Sequence, residues 1–210
     1  MNIASDCIKM YLMVKFNKNI DHISENDLLS ITSVPISGNS KNIFFGDLFK
    51  FKNLVELNVD GVNLKNEDLN IISRLKIKSL SLYRCSFESY EFLRHLKDIE
   101  QLHIISPINT QPLNIQLINN NLFELVMEDC VVDNFESLIS FENLKILSVL
   151  KTIMPDNYID VINKLKSLEV LFISSGYDVS NRKNKQLIVY NSYASFMYDD
   201  YSDFSPNRLN

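Results

Sequence analysis

An α/β solenoid, with parallel strands along one face of a stack of short coils and tight turns along the other, is the fold class this sequence predicts. Three observations predict it. A pattern of aliphatic residues spaced LxxLxLxx(N/C) recurs seven times, with first positions at 31, 54, 77, 99, 122, 144 and 168, in steps of 23, 23, 22, 23, 22 and 24 residues. The first half of each copy alternates with period two, as a short strand does. The second half steps by three, as in Phe87, Tyr90, Leu93, Leu96 and Ile99, which is the spacing one face of a 3-10 turn presents. Neither half can bury its apolar side chains alone, but stacked coils join them into one continuous core.

The elements follow in order. Residues 1–30 read as an N-terminal cap that opens with an apolar helix over Cys7–Val14, since a solenoid exposes core at both ends unless something closes it. Residues 31–180 hold the seven coils. The phase is set by Ile77, Leu80, Leu82, Cys85 and by its near twin Leu122, Leu125, Met127, Cys130; the front copy is Ile31, Val34, Ile36, Asn39. The fourth coil carries Ser106-Pro-Ile-Asn-Thr-Gln-Pro112 and is expected to be the most irregular. Residues 181–210 begin with a polar linker, continue into a strand-like Gln186–Tyr190 that caps the stack, and end in a tail of alternating aromatics and aspartates. All three parts form one structural domain.

Composition narrows the function classes. Apolar residues make up 46% and charged ones 22% of 210, an ordinary globular balance. A formal charge of -5 argues against a nucleic-acid binder, which needs a basic stripe to displace counterions, and favours a basic partner. No apolar run approaches the roughly 20 residues that span a bilayer, and the N-terminus lacks a basic signal region. Cys7, Cys85 and Cys130 are odd in number and widely spaced, which suits a reducing compartment and offers no metal-ligand pattern. A monomeric, cytoplasmic protein without cofactor or membrane attachment is expected.

The repeat resembles that of the leucine-rich-repeat family, and its 22-residue period with an i, i+3 return resembles the internalin-like bacterial proteins. The likeness covers residues 31–179, and the segment from Ile23 to Val34 also resembles the way many bacterial repeat proteins open. It implies a horseshoe with parallel strands on the concave face, short 3-10 or α turns on the convex face and a helical N-terminal cap. The ninth position departs from the family's asparagine, reading Asn39, Val62, Cys85, Pro107, Cys130, Thr152 and Gly176. By the same resemblance Cys85 and Cys130 point inward, weakly hydrogen-bonded and inert.

Chemistry finds little purchase. His22, His95 and His103 lie far apart in the register, and none shares a face with a nucleophile and a carboxylate pair; Gly38, Gly46, Gly61 and Gly176 are too dispersed for a phosphate loop. An enzyme is therefore not expected. His103 alone points from a strand toward the concave side, as surface residue or as binding contact.

The outward strand positions are more informative, because they line the concave face. In the first three coils they are polar. Later coils bring Ile105, Val126, Ile146, Leu150, Val170 and Phe172 onto the same face, beside Tyr83, His103, Glu124 and Glu128. Contiguous apolar surface with an acidic rim is expected to hold a protein partner. The competing expectation is that the segment 186–204 folds back over these residues. Three functions remain open: a protein-binding module, an immunity- or antitoxin-type inhibitor of a basic toxin, and the recognition domain of a larger enzymatic or cell-surface system.

Overall fold

The computed structural model describes residues 3–40, 42–108 and 111–192. The coils deliver their strands in one register. β1 (Ser33–Ser37), β2 (Glu56–Asp60), β3 (Ser79–Tyr83), β4 (Gln101–Ile105), β6 (Glu124–Glu128), β8 (Ile146–Val149) and β9 (Val170–Ser174) each begin at the third position of their repeat. An eighth member, β10 (Ile188–Ser192), follows β9, and all pair in parallel in the order β1-β2-β3-β4-β6-β8-β9-β10. Two short strands, β5 (Leu113–Asn114) and β7 (Val132–Asp133), form a separate parallel pair between the fourth and fifth coils.

The inward residues of the LxL pairs (Leu57 and Val59, Leu80 and Leu82, Leu102 and Ile104, Leu125 and Met127, Leu147 and Val149) have almost no solvent exposure. Against them pack the return segments. These are 3-10 turns at Phe45–Lys50, Glu91–His95, Ile115–Leu117 and Phe135–Ser140, and short helices α3 (Asn66–Ile72) and α4 (Tyr158–Ile162). The i, i+3 ladder read in the sequence is thus a 3-10 turn in most coils and one to two turns of α-helix in two of them. Residues 109 and 110, in the coil expected to be most irregular, lie outside the described residues.

Five of the strands leave the sheet through the same backbone conformation. The eighth position of five coils, Gly61, Arg84, Ser106, Asp129 and Lys151, has a left-handed φ between 47° and 65°. The amide at this position reaches the next coil: Gly61 N–H donates to Tyr83 C=O, Arg84 to Ile105, Ser106 to Glu128 and Asp129 to Leu150, at 2.8–2.9 Å, and Gly38 N–H donates to Asp60 C=O in the same way without a left-handed φ. The ladder thereby gains one more rung beyond each strand.

One position later the expected ladder of inward side chains is present. Cys85 Sγ donates to Val59 C=O, Cys130 Sγ to Ile104 C=O and Thr152 Oγ1 to Met127 C=O, each reaching back one coil. A thiol or hydroxyl therefore does the work of the family's asparagine at these turns. Burial pushes the Cys85 thiol up to about 11 and the Cys130 thiol up to about 12, which keeps both protonated and inert at neutral pH.

The front is closed by α1 (Asp6–Phe16) and α2 (Glu25–Leu29), with a 3-10 turn between them. α2 starts in a capping box, the Ser24 hydroxyl accepting from Asp27 N–H and the Asp27 carboxylate from Ser24 N–H. α1 buries Ile8 and Leu12 against the first coil, and Tyr11 Oη donates to Ser33 C=O at 2.7 Å.

Candidate interaction surface

The strand register decides which side chains share the concave face. Tyr83, Ile105 and Glu128 are paired across β3, β4 and β6; His103, Val126, Ser148 and Phe172 form the adjacent row; Gln101, Glu124, Ile146 and Val170 form the third. Leu150 follows the end of β8 in the row of Ile105 and Glu128. The structure thus places all ten sequence-selected residues on one side of one sheet.

It corrects their expected exposure. In β1 and β2 burial alternates along the strand, but in β6 all five residues are buried. Val126 has 0% exposure, Leu150 2%, Phe172 4% and Ile105 6%. None of these four belongs to the continuous core cluster on the other side of the sheet, so they form a second apolar layer. Glu124 and Glu128, expected at an acidic rim, are buried too; Tyr83, His103, Ile146 and Val170 are half-buried. Periodicity identifies the outward face of a strand but carries no information about what lies over that face.

The row of His103, Val126, Ser148 and Phe172 continues into β10, where Tyr190 is the register partner of Phe172. Tyr190 of β10 stacks on Phe172 with ring centroids 4.9 Å apart and planes 13° from parallel. Of the segment 186–204 that the sequence offers as a cover, residues 193–204 lie outside the described residues.

The buried polar groups of this layer satisfy one another. Glu124 accepts from Gln101 Nε2 at 2.8 Å and lies 3.0 Å from His103 Nε2, while His103 Nδ1 lies 3.2 Å from Ser81 Oγ. Ser148 Oγ donates to Glu128 at 2.7 Å. Burial raises the Glu124 carboxyl, but the His103 and Gln101 hydrogen bonds and the nearby imidazole outweigh it and hold the group below its ordinary value. Burial pushes the Tyr83 hydroxyl up. His103 is therefore the centre of a chain linking β3, β4 and β6, a role that its spacing alone did not show. His22 and His95 are exposed.

A second feature was not singled out from the sequence. α1 is apolar nearly all round, and beyond its core face Met10, Met13 and Val14 remain exposed. Met10 and Val14, with Tyr11 between them, form one wall of a groove of about 800 Å³. The concave ends of β1–β3 form the other wall, through Pro35, Asn58, Asp60 and Tyr83. Arg84 pairs with Asp60 at its rim. The signal was the apolar run of the helix itself, which exceeds what one buried stripe requires. Among the described residues, no group of His, Cys, Asp and Glu is arranged to hold a metal ion, and no helix is long and apolar enough to cross a membrane.

By sequence, no family model and no curated protein matches the chain. By structure it is similar to an internalin, inlF, of Listeria monocytogenes, with TM-score 0.59 and 17% identity over 81% of this chain and 51% of that one. It is also similar to internalin C2 of the same organism, with TM-score 0.61 and 18% identity over 81% of this chain and 74% of that one. The chain has the internalin-type leucine-rich-repeat fold. It spans about half the length of the first of these structures and about three-quarters of the second. At such identities the likeness to internalins fixes the architecture, parallel strands inside and short turns outside, and leaves the surface to be argued from this chain's own residues.

Proposed function

We propose that this internalin-like solenoid is a non-enzymatic protein-binding module whose concave face receives a protein partner. One observation carries the reading: Ile105, Val126, Leu150 and Phe172 make an apolar layer on the side of the sheet away from the core. Tyr83, His103, Ile146 and Val170 are the half-buried members through which a partner reaches that layer, and Glu124 and Glu128 lie between them. The α1 groove continues the same surface toward the N-terminal cap and adds mobile methionine side chains, which adapt to varied apolar anchors.

The net charge of -5 favours a basic partner. Small size and acidity also suit an immunity- or antitoxin-type inhibitor of a basic toxin, and the shorter span relative to inlF suits a recognition domain of a larger system. Three unpaired, buried cysteines favour a reducing compartment such as the cytoplasm.

The test is affinity capture, identification of the partner, and titration of the purified pair. Tyr83→Ala with Val170→Asp, both at half-buried positions, should weaken the complex by more than about tenfold, or about 1.4 kcal/mol. Glu142→Ala on the convex side should leave it unchanged. Equal affinity for the concave variant, with its melting curve intact, would remove the concave face from the interaction.

A further inference from the structure

We infer that the groove beside α1 docks an amphipathic α-helix of a protein partner, one that carries an acidic residue beside its apolar stripe. This rests on the reading of the chain as a protein-binding module and names the kind of segment the groove takes. α1 has two apolar stripes where a capping helix needs one. Ile8 and Leu12 face the first coil with no exposure. Cys7, Met10, Tyr11 and Val14 line the groove instead, at the spacing i, i+3, i+4, i+7. Met10 is 67% exposed and Val14 77%. A stripe of that spacing is what one helix offers another, because its ridges and holes repeat with the turn of the partner. From Cys7 to Val14 it runs about 10 Å, which matches two turns of a docked helix.

The opposite wall disfavours the other way of adding a segment to a sheet. β1 is an edge strand, and the backbone groups of its even-numbered residues serve β2: Thr32 C=O accepts from Glu56 N–H, and Gly38 N–H donates to Asp60 C=O. Those of its odd-numbered residues face the open edge. There Ser33 C=O already accepts from Tyr11 Oη at 2.7 Å, and Pro35 has no N–H to give. An added strand would miss an acceptor and a donor within three residues, so the occupant is held by side chains. Charge supplies the rest. Asp60 and Arg84 pair with each other at the rim. Lys15 Nζ, at the end of the α1 stripe, lies 5.5 Å from the centre of the Tyr11 ring and 3.2 Å from its hydroxyl, and no carboxylate among the described residues pairs with it. The lining of Lys15, Asp60 and Arg84 is therefore net positive in a chain of net charge -5, and it complements a carboxylate.

Selection of displayed random peptides on the full chain tests this. Enriched sequences should carry apolar residues at i, i+3 or i+4, and i+7 with an Asp or Glu beside them, and a synthetic copy should gain helical circular dichroism on binding. Met10→Asp and Val14→Asp, both at exposed positions, should each weaken that peptide by more than about tenfold at an unchanged melting temperature. Ile153→Asp, which alters an exposed apolar residue outside the groove, should not. Selection on Lys15→Glu should turn the preferred charge from acidic to basic. Enrichment of alternating, strand-like sequences, no enrichment at all, an acidic preference that survives Lys15→Glu, or an equal loss with Ile153→Asp would overturn the inference. Val170→Asp, four strands beyond Tyr83 in the sheet, separates this inference from the concave-face proposal. A protein partner and groove peptides that both keep their affinity for that variant would remove the concave face and leave the groove standing. A partner lost to Val170→Asp, with no peptide selected at α1, would do the reverse.

Discussion

Asp47 Oδ2 accepts the backbone N–H of Ser5 at 2.8 Å, and the same oxygen accepts that of Ala4 at 2.7 Å. Asp47 and Ser5 are both fully buried, and Lys50 pairs with the other carboxylate oxygen. One side chain of the first coil thus fastens the chain immediately before α1. A buried amide without an acceptor costs free energy that water no longer repays. Asp47→Ala should therefore destabilise the protein by about 2–4 kcal/mol, read as a lower urea midpoint, with faster hydrogen exchange at Ser5 than at the amides of β6. Uniform loss of protection across all coils would mean that the cap and the solenoid unfold as one.

Gly38 has a different constraint. A Cβ built there falls 1.9 Å from the carbonyl oxygen of Gly61, so two neighbouring coils approach backbone to backbone where the first strand ends. Gly38→Ala should push these coils apart and cost about 1–3 kcal/mol, seen as a fall in melting temperature. Gly61 has open space around its missing Cβ and only its φ of 65° to satisfy, so Gly61→Asn should be tolerated far better. Similar losses at both positions would contradict the steric argument.

Lys151 illustrates the converse. It is exposed, holds a left-handed φ of 54°, and its N–H donates to Ser174 Oγ at 2.7 Å. Glycine keeps the hydrogen bond without the Cβ clash but raises the entropy of the unfolded chain. The clash is the larger effect, so Lys151→Gly should stabilise the fold by about 0.5–1 kcal/mol in denaturant titration. A loss of stability would show that the lysine side chain contributes contacts of its own.

These cases mark where sequence and structure part. The inward residues of every coil were legible because one core fixes their period, and the strands accordingly start at the third repeat position from Ser33 to Val170. The capping strand was legible by composition only: the β-rich run begins at Gln186, but pairing with β9 starts at Ile188, opposite Val170. Arg84, Ser106, Asp129 and Lys151 carry no sign of a left-handed backbone in the sequence, since glycine's usual signal is absent. The concave rows were legible as a face. Their burial was not, because cover depends on what approaches from outside the coil.

Cys85 and Cys130 should be silent toward thiol reagents in the folded protein. Their groups are pushed up to about 11 and about 12 and point into the coil interior, so the thiolate that would react is scarce and unreachable at pH 8. Ellman's reagent should release no more than the equivalent of one thiol, that of Cys7 at the α1 groove, before denaturant is added and of three thiols after it. Fast reaction of Cys130 in the native state would show that the fifth coil opens locally.

The His103–Glu124 contact predicts a pH dependence whose sign follows from the carboxyl. Its folded value lies below the ordinary 4.5 because the hydrogen bonds from His103 and Gln101 outweigh burial. Such a group contributes its full stabilisation above the unfolded value and loses it as the pH falls through the lower, folded one. Glu124→Gln removes that contribution at all pH values. The melting temperature of the native chain should therefore exceed that of the variant at pH 7, and the gap should narrow as the pH is lowered past about 4.5. A gap that stays constant from neutral pH to pH 3 would mean that Glu124 matters to the fold by its shape and not by its charge. The same titration in His103→Asn should show a smaller gap to begin with, since one of the two hydrogen bonds that depress the carboxyl is already gone.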